Sequence, residues 1–136
     1  MIAIDTNVLV RLLANDDAVQ SPRAAALFAA DDVFIAKSVL LETEWVLRWS
    51  YDLSREVIGA AFDRLASSDR LASSPSVTLE DPRGVRAAIE AHGAGMDFAD
   101  ALRVASARGA SRFMTFDKKL AAQAVRAKVA PPVEGV

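Results

Sequence analysis

The chain has 136 residues, a formal net charge of −2 and no cysteine. That length fits one domain able to bury about two-thirds of its unfolded surface. The absence of cysteine excludes disulfides, thiolate chemistry and Cys-based zinc sites, and the near-balanced charge argues against a protein that grips nucleic acid by bulk charge alone.

Ile2-Ala3-Ile4 reads as a short buried strand that stops at the polar run Asp5-Thr6-Asn7. Val8 to Leu13 reads as a short helix. Ser21-Pro22 predicts a helix to about Ala30, with Ser as N-cap and Pro in the first helical position. Val33-Phe34-Ile35 is a second strand, and Ser38 is expected to cap a long helix to about Tyr51. Further helices are expected from Ser54 to about Ala66, from Asp81-Pro82 to about Ala91 and from Asp97 to about Arg108. Ser76 to Leu79 and Arg112 to Thr115 complete four strands, and Asp117 opens a last helix to about Ala127.

Short strands alternating with helices predict an α/β fold, three-layer α/β/α, with a short parallel sheet flanked by about seven helices. Residues 1–130 are expected to form the domain, and 131–136, with Pro131-Pro132, a frayed tail. The first residues lack a basic, apolar leader, and no apolar run approaches the ~20 residues of a membrane span. A cytoplasmic protein without a membrane partner is the expectation.

Ligands bind beyond the carboxyl ends of parallel strands. Asp5 and Asp117 follow strands and fall on that edge. Thr6 and Asn7 supply more polar groups than one helix cap needs. Glu42 shares a helix face with Val39, Trp45 and Val46, whereas Glu44 lies four before Arg48 and reads as a surface ion pair. A carboxylate on an apolar face is costly unless paired or metal-bound, so Glu42 is the functional candidate of the two. Asp97 is placed to cap its helix, with Asp100 in the first turn towards the packed side. For Asp97 and Asp117 a helix cap competes with a functional role. Trp45 and Trp49 are expected in core or interface packing, and His92, the single histidine, in a structural or exposed position.

Carboxylates gathered together repel unless protons or cations neutralise them. Oxygen donors without Cys select Mg²⁺ or Mn²⁺ over zinc. The matching chemistry is metal-assisted phosphodiester hydrolysis. From Met96 to Lys128 there are seven basic and three acidic residues, a local excess suited to an anionic substrate. Arg11, Arg48, Arg103 and Arg112 are candidate contacts for it. No phosphate-binding Gly-rich loop or serine nucleophile elbow is present.

Four segments together resemble the motifs of PIN domains, in order. They are the opening Ile2-Ala-Ile-Asp5-Thr-Asn-Val-Leu-Val, then Val39-Leu-Leu-Glu42-Thr-Glu-Trp45, then Asp97-Phe-Ala-Asp100-Ala-Leu, then Thr115-Phe-Asp117. Length and layout are similar to those of VapC-type toxins of bacterial toxin–antitoxin pairs. The resemblance implies a Mg²⁺- or Mn²⁺-dependent endoribonuclease, a homodimer, and a cognate antitoxin that blocks the acidic site. It implies Asp5, Glu42, Asp100 and Asp117 as the metal-binding and catalytic set, with Asp97 as an auxiliary ligand. Thr115 would be supporting, Asn7 would orient Asp5, and the four arginines would meet RNA or antitoxin. Two other readings stay open: a PIN-like module that binds RNA or protein without cutting, and an aspartyl phosphotransfer protein using Asp5. The second lacks the Asp-x-Asp pair, since Asn7 stands there.

Overall fold

A computed structural model describes residues 1–70 and 75–136. Among these residues there are seven helices and five strands. The order is β1 (Ile2–Ala3), α1 (Thr6–Ala14), α2 (Gln20–Ala30), β2 (Val33–Ile35), α3 (Lys37–Trp49), α4 (Arg55–Arg70) and β3 (Val77–Leu79). There follow α5 (Pro82–Gly93), α6 (Phe98–Ser106), β4 (Phe113–Thr115), α7 (Lys118–Ala127) and β5 (Val133–Gly135). The chain forms two compact units, Met1–Pro82 and Arg83–Val136. All strand pairs are parallel, as the βα alternation requires.

The amino-terminal unit carries the three-stranded sheet in the order β1-β2-β3. Ile2 pairs with Val33, and Val33 in turn with Val77. Parallel pairing puts the carboxyl ends of all three strands on one edge, so Asp5, Lys37, Glu80 and Asp81 all follow strands on that edge. Helix α1 packs on α2 and α3, and α4 packs on α3 and β3. Leu9, Val33, Ile35, Leu40, Leu47, Ile58, Phe62 and Leu79 are fully buried there. Each contributes about 1.5–3 kcal/mol relative to an exposed side chain.

Two helix starts differ from expectation. Ser21 does not cap α2. Asp17 does, accepting from the N–H groups of Val19 at 2.9 Å and Gln20 at 2.7 Å, while Ser21 is buried inside the first turn. Ser38 does not cap α3, which begins one residue earlier with Ala36 as an N-cap that has no side-chain oxygen. The Lys37 N–H instead donates to a Glu80 carboxylate oxygen at 2.7 Å, and Lys37 Nζ lies 2.8 Å from Asp81. The cap comes from 43 residues away, which no local pattern reveals.

In the carboxy-terminal unit β4 pairs with β5, and α7 packs on both. The residues after Pro131-Pro132 are therefore not a frayed tail. They form β5, with the Val136 N–H donating to the Thr115 carbonyl at 3.0 Å. Val85, Ala88, Met96, Phe98, Ala101, Val104 and Ala105 fill the interior. His92 is buried and meets the Phe98 ring edge-on at 5.8 Å between centroids, a structural position. Gly95, at φ 104, turns the chain between α5 and α6 in a conformation that favours glycine. No helix among the described residues is long and apolar enough to cross a membrane.

Candidate acidic site

Asp5 stands at the carboxyl end of β1 as the N-cap of α1, its Oδ1 accepting from the Val8 N–H at 3.1 Å. It is exposed, and Asn7 beside it is exposed too, while Thr6 is buried. Asp5 and Asn7 line a cavity of about 260 Å³ with Arg11, Gln20, Arg23 and Leu27. Arg11 is held by three neighbours: Nε donates to Gln20 at 2.7 Å, and Nη1 to Asp16 at 3.2 Å and the Tyr51 hydroxyl at 2.9 Å. Sequence reading missed Arg23 altogether, because only the packing of α2 on α1 brings it beside Asp5.

On α3 the expected roles of the two glutamates reverse in burial. Glu42 is exposed, and its neighbours Trp45 and Trp49 are 56% and 66% exposed. They are not core residues. Glu44 is 4% exposed, with Oε1 3.1 Å from Arg48 Nε. The ion pair exists, but it is not a surface pair. Both faces of this helix carry apolar residues. The one that packs runs through Leu40, Thr43 and Leu47, with Glu44 between. Arg48 also lies 5.3 Å over the Trp49 ring, within cation–π range.

Asp97, Asp100 and Asp117 belong to the carboxy-terminal unit. Asp97 caps α6, accepting from the Asp100 N–H at 3.1 Å. Asp117 caps α7, accepting from Lys119 N–H at 2.9 Å and Leu120 N–H at 3.1 Å. Its own N–H donates to Thr115 Oγ1 at 3.0 Å, which closes the turn after β4. Burial pushes the Asp100 carboxyl above its ordinary range, and the negative charges of Asp97 and Asp117 push the same way. The Arg103 guanidinium opposes them, with Nη1 2.6 Å from Asp100 Oδ1. The three acids thus share one electrostatic environment. Arg112 pairs with Glu134 of β5 at 3.2 Å. All four candidate arginines therefore have an acidic partner within the chain.

Among the described residues no three His, Asp or Glu side chains stand close enough to form a preassembled metal cage. The donor chemistry nevertheless fits a hard divalent cation. All donors are carboxylate oxygens, and a bound cation would offset the repulsion that Asp97 and Asp117 exert on Asp100.

The PIN domain family model matches residues 2–126 of this chain, and the chain belongs to that family. Members are generally metal-dependent nucleases and usually bind divalent metal ions. No similar curated protein and no similar solved structure was found.

Proposed function

We propose that this protein is a Mg²⁺- or Mn²⁺-dependent endoribonuclease, the toxin of a toxin–antitoxin pair. The observation that carries the nuclease reading is the family match along residues 2–126, which spans Asp5, Glu42, Asp97, Asp100 and Asp117. By motif, Asp5, Glu42, Asp100 and Asp117 would hold the cation, with Asp97 auxiliary. The cation, when bound, activates water and offsets phosphate charge. Asp97 fixes the start of α6, and hence Asp100, through its cap. Thr115 fixes the backbone at Asp117. Arg103 pairs with Asp100, and a cation held by Asp100 would leave its guanidinium available to a phosphate. Motif order supports the toxin role, and with that role would come a cognate antitoxin, a homodimer and a cytoplasmic location.

Purified protein with Mg²⁺ or Mn²⁺ is expected to cleave labelled RNA, and Asp5→Asn to abolish cleavage. Asn caps a helix about as well as Asp, so α1 remains intact in the variant. Equal cleavage by both proteins would assign the activity to a contaminant. A second reading, binding without cleavage, is favoured by the cap bonds of Asp5, Asp97 and Asp117. Calorimetry showing tight RNA binding and no uptake of Mg²⁺ or Mn²⁺ would select it.

A further inference from the structure

We infer that Phe116 is a base-stacking residue that positions single-stranded RNA with a phosphodiester against the Asp117 carboxylate, an inference that rests on the nuclease reading above. Single exposed apolar residues are common and need no explanation. Phe116 differs in degree, in place and in setting. It is 85% exposed, more than any other large apolar side chain among the described residues. It sits between Thr115 and Asp117, and consecutive Cα atoms are ~3.8 Å apart. A base stacked on this ring has its own sugar and phosphate within one nucleotide's reach of Asp117.

Strand alternation explains why the ring is outside. Phe113 and Thr115 are half-buried, while Met114 and Phe116 leave the opposite side exposed. The mounting is fixed on both sides. Thr115 accepts from the Asp117 N–H through Oγ1 and from the Val136 N–H through its carbonyl, both at 3.0 Å. A fixed backbone limits what must be ordered on binding to the side chain itself, which favours stacking as a source of affinity.

The residues that follow specify the kind of ligand. Lys118 and Lys119 are exposed and occupy the first turn of α7, which has no acidic residue. Cations there run against the helix dipole, so helix stability does not account for them. An aromatic ring, a carboxylate and two ammonium groups follow one another along four exposed residues. A nucleotide strand matches the ring with a flat base and the two ammonium groups with its phosphates, while the carboxylate would face a phosphate only across a cation. A protein partner would be matched by a continuous apolar patch, whereas three charged residues follow this ring directly.

The test is a binding cycle on the full chain, with a fluorescent single-stranded RNA oligonucleotide and no divalent cation, read by anisotropy. Phe116→Ala is expected to weaken binding roughly 5- to 150-fold, and Phe116→Trp to restore it. On an oligonucleotide with abasic sites throughout, the Phe116→Ala penalty should vanish, since no base remains to stack. Wild-type affinity in Phe116→Ala, or an equal penalty on the abasic strand, overturns the inference. So does unchanged RNA affinity with altered sedimentation, which would place Phe116 in a protein interface. Cleavage of the same RNA with Mg²⁺, compared between wild type and Asp5→Asn, is scored separately. A cycle that holds without cleavage upholds the stacking and overturns the nuclease reading. Cleavage without the cycle overturns the stacking alone.

Discussion

The charge of Asp100 is disfavoured by its surroundings. Its carboxyl is raised by burial, by Asp97 and by Asp117, against the pull of Arg103. In the pH range between an ordinary Asp value, ~3.9, and that raised value, the folded chain holds more protons than the unfolded one. Stability from this group is therefore greatest below the range, falls as pH rises through it, and stays lowered above it. A ¹³C titration of the Asp100 carboxyl carbon is expected to run above the ordinary carboxylate range. Asp117→Asn, which removes one raising charge, should bring it down, and Mg²⁺ should bring it down in the unsubstituted protein. A titration curve indifferent to both would show that neither Asp117 nor a cation shares its environment. At this scale the sequence was a fair guide to residue identity and a poor one to surroundings. Spacing within Asp97-Phe-Ala-Asp100 was enough to predict the α6 cap, because capping is local. Spacing around Glu42 and Glu44 misled, since two apolar faces on α3 left periodicity unable to say which one packs.

Elements were legible where their ends are decided locally. The strand starts and the helices opened by Asp5, Asp97 and Asp117 follow from apolar runs and caps within a few residues. Helix α3 is the contrary case, because its first N–H is satisfied by Glu80 across the sheet edge. Strand β5 is another, because three residues after two prolines become a strand only once β4 offers a partner. Glu80→Ala is expected to cost about 1 kcal/mol, the usual worth of an N-cap. Urea unfolding checks this, with faster hydrogen exchange at the Lys37 amide as the local sign. Stability and exchange both unchanged would mean that water caps α3 equally well.

The parallel α/β fold was readable for the whole molecule because strand–helix alternation constrains connectivity. The acidic set was readable only as a list of positions, since Asp5 and Glu42 belong to one unit and Asp97, Asp100 and Asp117 to the other. Charge at this scale makes its own prediction. For a chain of net charge −2 to bind RNA, a local excess is needed, and the four extra cations between Met96 and Lys128 would supply it. If these meet phosphates, log affinity against log salt should slope at about −3 for a single strand, so a fourfold rise in salt weakens binding roughly 50-fold. Replacing Lys118 and Lys119 with Ala should flatten that slope by about 0.7 for each lysine. An unchanged slope would remove this segment from the RNA-binding surface.

The Glu44–Arg48 pair has a consequence for how the sequence can drift. The two side chains are unequally placed, 5% exposed for Glu44 and 40% for Arg48. Losing Arg48 first strands a carboxylate in the interior, the costly way to break such a pair. Losing Glu44 first leaves a guanidinium that can turn to water. The two positions can change together or in one order only, so descent through this helix runs as a one-way street: the acid goes first, and the base is free to vary only afterwards.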